Sequence, residues 1–207
     1  MSAEIYLITP PRIPNLAKFC DDLSAVLDIG LVACVQLRLK NVKDSIVVRT
    51  AEIILPLCHE RGVPLLLNDR PDLAVKAGCD GCHLGQNDIS YYDARALMGP
   101  EAQIGITCNN SRHLAMQAGE AGADYVAFGA FFPSTSKYNV SIASIETLIW
   151  WAELMTIPCV AIGGINAYNC ELLVKSGSDF LAVINAVWGH HAGPVAGIKA
   201  FELLLKS

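Results

Sequence analysis

What is scarce in this chain narrows it first. No unbroken apolar stretch reaches the roughly 18–20 residues of a membrane-crossing helix, so no membrane partner is expected. Charged residues make up only 17% of the sequence against 53% hydrophobic. That balance excludes a disordered chain and implies a large buried core. A basic excess is missing as well: the formal net charge is −5, and a protein that coats nucleic acid would carry the opposite sign. No linker, charge block or low-complexity tract interrupts the 207 residues, and a single domain spanning 1–207 is the expectation. The start, Met1-Ser2-Ala3-Glu4, has no basic segment followed by a long apolar one, so a cytoplasmic location is expected. Oligomeric state is not legible, and a homodimer remains open.

Cysteine is not scarce. Eight cysteines in a chain expected to be cytoplasmic read as reduced thiols acting as small apolar residues. Cys79-Asp80-Gly81-Cys82-His83 fits the C-x-x-C-H spacing of haem attachment. Covalent haem attachment requires export, and Cys82 and His83 fall inside an apparent strand. A zinc site would need a second ligand pair, and the other cysteines are scattered.

Three segments echo one another: 77–85, 121–129 and 176–183. Each places a Gly where a helix would stop, then an Asp, then an apolar strand. Repetition of helix, tight turn and strand argues for a βα array. Eight strands are expected near Ile5–Thr9, Ala33–Leu37, Pro64–Leu67, Gly81–Leu84, Gln103–Thr107, Tyr125–Gly129, Cys159–Gly163 and Phe180–Ile184. Between them lie helical patterns. Asp44 to Glu60 carries Val47, Ile54, Leu57 and Cys58 at helical spacing, and Ser111 to Glu120 opens on a capping serine. Ser144 to Leu154 carries Trp150 and Trp151, read as packing residues, and Gly193 to Leu205 closes the chain. Eight such units with short connections predict an α/β fold, a (β/α)8 TIM barrel, with an open doubly wound sheet as the alternative.

Polar residues then collect just after the apolar runs. If the runs are parallel strands, all these tails project from one end of the sheet, the end where barrels do chemistry. Asp69 and Asp88 follow neighbouring strands, and a pair of hard oxygen ligands suits Mg²⁺; the competing reading is that each Asp caps the next helix. Gln36, Arg38 and Lys40 alternate with Leu37 and Leu39 and so share a face. Inside a barrel they would need an anion, and otherwise they form a solvated strand edge. Gly163-Gly164 and Ile184-Asn185 follow the seventh and eighth strands, where barrels commonly seat phosphate. Lys137 sits in the hydroxyl-rich loop Ser134-Thr135-Ser136, which fits phosphate or an ordinary surface loop. His83 points inward by alternation, either orienting a ligand or a loop or resting as a satisfied core histidine.

The chain resembles the thiamine phosphate synthase (thiamin-phosphate pyrophosphorylase) family. The resemblance runs from Tyr6-Leu7-Ile8-Thr9 to about Ala186. It is carried by Gln36-Leu37-Arg38-Leu39-Lys40, Leu67-Asn68-Asp69-Arg70, His83-Leu84-Gly85-Gln86-Asn87-Asp88, Gly105-Ile106-Thr107, Ala123-Asp124-Tyr125 and Ile162-Gly163-Gly164-Ile165. It implies a Mg²⁺-dependent transferase joining hydroxymethylpyrimidine diphosphate to thiazole phosphate. Diphosphate leaves first, and the thiazole nitrogen captures the resulting pyrimidine carbocation. Carried over, Asp69 and Asp88 would bind Mg²⁺. Gln36, Arg38, Lys40, Asn68 and Lys137 would hold the diphosphate, and Thr107 would meet the pyrimidine. Ser134, Ser136, Gly164 and the backbone at Ile184 and Asn185 would seat the thiazole phosphate. Arg38, Lys40, Lys137 and Thr107 would carry the catalytic load. This sequence departs from the family pattern at Leu39 (often Glu), Thr107 (commonly Ser), Ser134 and Ser136 (Thr) and Asn185 (usually Ser), and the stretch after Lys137 is less charged. A thiazole tautomerase-like relative or a non-catalytic precursor-binding paralogue are the alternatives, the former tending to lack the paired Asp.

Overall fold

The structure is a computed structural model describing residues 3–133 and 142–205. Among these residues eight strands are found: β1 (Glu4–Ile8), β2 (Val32–Leu37), β3 (Leu65–Asn68), β4 (Gly81–Leu84), β5 (Gln103–Asn109), β6 (Tyr125–Gly129), β7 (Cys159–Ile162) and β8 (Phe180–Val183). The helices are α1 (Leu16–Leu27), α2 (Asp44–His59), α3 (Pro71–Ala77), α4 (Tyr91–Met98), α5 (Arg112–Ala121), α6 (Ile145–Leu154), α7 (Glu171–Lys175), α8 (Asn185–Trp188), α9 (Pro194–Lys199) and α10 (Glu202–Leu205). The strands close in sequence order into one parallel barrel, β8 pairing back onto β1. The expected barrel is therefore the fold, and no helix among the described residues is long and apolar enough to cross a membrane.

Strand parity divides the apolar residues into two cores. Ile5, Leu7, Val35, Leu37, Leu65, Leu67, Val126, Phe128, Leu181 and Val183 pack outward against the helices. Tyr6, Ile8, Cys34, Leu66, Tyr125, Ala127, Val160 and Ala182 fill the barrel itself. Successive residues of a strand point to opposite faces, so one sequence register serves both cores.

The three sequence echoes turn out to be clamps at the amino-terminal end of the barrel. In each, a left-handed Gly (Gly78, Gly122 or Gly177) turns the chain out of its helix. The Asp that follows grips the first or second residue of the preceding strand from both sides. Asp80 donates its N–H to the Leu65 carbonyl at 3.0 Å, and its carboxylate accepts the Leu65 N–H at 2.7 Å. Asp124 does the same to Ile104, and Asp179 to Cys159. The repeated Asp thus satisfies a strand-start N–H that parallel pairing leaves open.

Some boundaries move. On α2 the buried stripe is Val48, Ala51, Ile54 and Cys58, with Val47 and Leu57 only at its margin. The closing segment is broken into α9 and α10 around Ala200 and Phe201. Ser111 caps α5 as expected, its side chain accepting the Leu114 N–H. Trp151 is buried and donates to the Ile157 carbonyl, a packing role. The cysteines are free thiols, and burial pushes Cys79 and Cys82 up to about 12, so neither is a poised thiolate.

Asp179→Ala is expected to destabilise the fold by about 1–3 kcal/mol, because the Cys159 N–H loses its acceptor. A melting temperature unchanged from the parent protein would show that the clamp contributes nothing.

Candidate functional site

The inward row of each strand runs up to the carboxyl-terminal mouth of the barrel, where a cavity of about 900 Å³ opens. Which residue ends each row decides the character of each wall. On β2 the row Cys34, Gln36 continues past the strand end through Arg38 and Lys40. On β3 it ends in Asn68, on β4 in His83 and on β5 in Thr107 and Asn109. Across the mouth the same rows end in Ala127 and Gly129 on β6, Val160 and Ile162 on β7, Ala182 and Ile184 on and just after β8 and Ile8 on β1. One side of the cavity is therefore ionic and hydrogen-bonding and the other apolar, a shape for a ligand that is itself divided into a charged part and a flat apolar part.

The ionic wall is built tightly. Thr9, fully buried after β1, accepts the Arg38 N–H on its hydroxyl at 3.0 Å and so ties the first two strand ends together. Burial lowers the pKa of the Arg38 guanidinium, and the charge of Asp69 partly restores it. A half-desolvated cation of this kind is primed for an anion. Leu39, between Arg38 and Lys40, turns away and packs on the outer core. Gln36 is 2% exposed, and its Nε2 has no hydrogen-bond partner among the described residues. A buried amide donor without an acceptor is costly, and here it lines the cavity.

Asp69 and Asp88 do not cap helices. The N-cap of α3 is Arg70, with no side-chain bond and Pro71 in the first turn, and α4 is capped by Ser90. Asp69 adopts a left-handed φ of 65°, unusual for a residue with a side chain but tolerated best by Asp and Asn. It is held there by its N–H donating to the His83 carbonyl at 2.8 Å, and its carboxylate accepts from Lys40 Nζ at 2.5 Å. Asp88 folds back to accept the Gly85 N–H at 2.7 Å. The two carboxylates are close enough to influence each other's ionisation. Burial alone would raise the pKa of Asp69, but the bond and charge of Lys40 outweigh it and hold the group low. Burial, and then the charge of Asp69, push Asp88 up. Two neighbouring carboxylates at the mouth form a donor set for a hard divalent cation. Among the described residues no group of three or more His, Cys, Asp or Glu converges, so such a cation would complete its shell with water and ligand oxygens.

Beneath this wall lies a hydrogen-bonded row that sequence reasoning missed. Tyr6 Oη lies 2.8 Å from Tyr125 Oη, Tyr125 Oη 2.9 Å from His83 Nδ1, and His83 Nε2 2.7 Å from Thr107 Oγ1. The available signal was Gly105, the strand partner of Tyr125: a Cβ there would sit 1.9 Å from the tyrosine ring. Gln86 was quoted only within a longer motif, yet its side chain donates to the Thr107 carbonyl at 2.6 Å and locks the loop after β4 onto β5.

Gly163 and Gly164 follow β7 with φ of 105° and 65°. Any Cβ on Gly164 would come within 2.4 Å of the Pro133 carbonyl oxygen, so the chain passes there only as glycine. Gly164, Ile184 and Asn185 line the same side of the cavity, Asn185 at its exposed rim. Gln36, Arg38, Lys40, Asn68, Asp69, Asp88, Thr107, Gly164, Ile184 and Asn185 thus meet around one cavity. Ser134, Ser136 and Lys137 lie outside the described residues.

Comparison with known proteins gives one answer. Residues 5–187 match the family described as thiamine monophosphate synthase. The thiamine-phosphate synthase of Rhodospirillum centenum is 54% identical over 202 residues, covering 98% of this chain and 97% of that protein. That of Hyphomonas neptunium is 48% identical, covering 98% and 94%. Among solved structures, the thiamine phosphate pyrophosphorylase of Pyrococcus furiosus superposes with a TM-score of 0.86 at 28% identity, covering 98% of this chain and 95% of that one. The orotidine 5'-phosphate decarboxylase of Pyrococcus horikoshii superposes at 0.68 with 16% identity, a likeness of fold alone.

Gln36→Leu is expected to stabilise the ligand-free protein by about 1 kcal/mol, since it removes a buried unpaired donor at nearly constant volume, while weakening whatever binds the ionic wall. Calorimetry without ligand checks this; a fall in melting temperature would show that the amide is satisfied.

Proposed function

This chain belongs to the thiamine monophosphate synthase family, and from that premise we propose that it joins hydroxymethylpyrimidine diphosphate to thiazole phosphate, giving thiamine phosphate and free diphosphate. The observation that carries the reading is the divided cavity: facing carboxylates and the Arg38–Lys40 row on one wall, aliphatic strand ends on the other.

Breaking the C–O bond to the leaving diphosphate builds negative charge on its oxygens and positive charge on the pyrimidine methylene carbon. Arg38 and Lys40 meet the first charge from fixed positions, and preorganised cations of this kind lower the barrier without reorganising. Gln36 and Asn68 supply amide donors to the same anion. Thr107 hydrogen-bonds the pyrimidine and sets its plane. The apolar wall at Ile8, Ile162 and Ile184 excludes water, which would otherwise trap the carbocation as an alcohol. Gly164, Ile184 and Asn185, together with Ser134 and Ser136, seat the thiazole phosphate so that its ring nitrogen attacks the cation; holding the two reactants together replaces an encounter by a near-unimolecular step. Lys137 joins the diphosphate cluster. Asp69 and Asp88 would hold Mg²⁺, which supplies Lewis-acid stabilisation of the departing diphosphate when bound. No protein nucleophile takes part. The paired carboxylates favour this reaction over a tautomerase-like or purely precursor-binding role.

Purified protein given both phosphorylated precursors and Mg²⁺ is expected to form thiamine phosphate, read as fluorescent thiochrome after oxidation, and EDTA is expected to abolish the signal. Absence of product in the presence of measurable precursor binding would refute the synthase reading. Asp69→Ala and Asp88→Ala are expected to lower kcat/KM by at least ~10²-fold with an unchanged circular dichroism spectrum. Full activity in either variant would remove that residue from the metal site.

A further inference from the structure

We propose that Tyr6, Tyr125 and His83 are positioning residues: a one-way hydrogen-bond chain rising through the barrel fixes the Thr107 hydroxyl as a donor into the cavity, where it selects a lone-pair acceptor such as an aromatic ring nitrogen. The identity of that acceptor, a pyrimidine nitrogen of the diphosphate substrate, rests on the synthase reading; the direction of the chain does not.

The direction follows from counting protons. Tyr6 is 3% exposed, and its hydroxyl has one hydrogen-bond partner among the described residues, Tyr125 Oη. The Tyr6 proton therefore lies on that bond. Tyr125, 8% exposed, must then give its own proton to the remaining neighbour of its hydroxyl, His83 Nδ1. An imidazole that accepts at Nδ1 carries its proton on Nε2, and Nε2 faces Thr107 Oγ1 at 2.7 Å. The threonine oxygen is thereby engaged as acceptor, and its own hydrogen is left to turn toward the cavity it lines. The opposite direction, or a doubly protonated imidazole, would send the Tyr125 proton back to Tyr6 and leave the Tyr6 hydroxyl buried with no acceptor, the costly arrangement.

The surrounding packing holds the row in place. Gly105 makes room for the Tyr125 ring, which stacks on His83 at a centroid distance of 5.6 Å and meets Tyr6 at 5.8 Å. Burial raises both phenol pKa values well above their ordinary value, so both stay protonated donors. Phenylalanine would fill the same volume at either position, although at 125 it would leave the Tyr6 hydroxyl without its acceptor. A hydroxyl at both positions, beside Ile8, Leu66, Ala127 and Val160, is accounted for by the direction it imposes on the threonine.

The test has two arms. Nitrogen-15 NMR of the ligand-free protein, with His83 assigned by substitution, is expected to show Nδ1 unprotonated and Nε2 carrying hydrogen. The other tautomer would overturn the proposal whether or not the protein is a synthase. In the second arm, Tyr125→Phe is expected to shift His83 toward the Nδ1–H tautomer. It is also expected to raise KM for the pyrimidine diphosphate about tenfold, one hydrogen bond's worth, leaving KM for thiazole phosphate unchanged. Tyr6→Phe, should the first variant fold poorly, is expected to give a mixture of tautomers and a smaller rise. Thr107→Ser should retain both signatures, and in a Thr107→Val background Tyr125→Phe should cost nothing further. An equal loss with Val at 107, or equal rises in both KM values, would show that Tyr125 acts through packing and not through the threonine.

Discussion

A closed parallel barrel allows each strand residue only two directions, and the site depends on that restriction. Tyr6 and Ile8 face in because Ile5 and Leu7 must face the helices; the same rule carries Gln36, Asn68, His83 and Thr107 inward at the ends of β2 to β5. A single-residue slip in any of these strands would bury its charged tail under a helix and expose its aliphatic row to the cavity. The Asp clamps at the opposite end of the barrel guard against such a slip. Each fixes the start of one strand to the turn entering the next, so register is set far from the site and read out at it.

Charge then acts within the geometry that parity allows. Lys40 and Arg38 arrive on one row and face Asp69, while Asp88 arrives from the next loop, so two cations and two carboxylates share a small, half-buried volume. Without a ligand the set is locally balanced: Lys40 pairs with Asp69, and Asp88 leans on the Gly85 N–H and takes up a proton first. Arrival of a polyanion with its metal ion would exchange these internal pairs for external ones. The unpartnered Gln36 amide and the left-handed Asp69 belong to the same economy, since each is tolerated where a ligand completes the site.

Much of this was legible in the sequence for definite reasons. The barrel followed from repeated Gly–Asp–strand echoes, because glycine ends helices and eight helix–turn–strand units with short connections suit a closed parallel sheet. The ionic wall followed from alternation in Gln36-Leu37-Arg38-Leu39-Lys40, which persists beyond the end of β2. What the echoes concealed was the purpose of their Asp, a backbone clamp visible only once Asp80, Asp124 and Asp179 stand beside the strand before them. The buried row under Thr107 was illegible for a related reason: Tyr6, His83 and Tyr125 are separated by 119 and 42 positions along their bonds, and one-dimensional spacing carries no trace of such contacts. On α2, Ile54 and Cys58 are buried as expected, while Val48 takes the place expected of Val47 because the two are equally apolar and only packing against the barrel decides between them.

The measurement that tests the division of the cavity most directly is a crystal structure with the pyrimidine diphosphate and Mn²⁺ in place of Mg²⁺, read by anomalous scattering. The account predicts one metal peak between the carboxylates of Asp69 and Asp88, the diphosphate against Arg38 and Lys40, and the ring within hydrogen-bond reach of Thr107. A metal bound elsewhere, or a diphosphate lying against the Ile8, Ile162 and Ile184 wall, would contradict it.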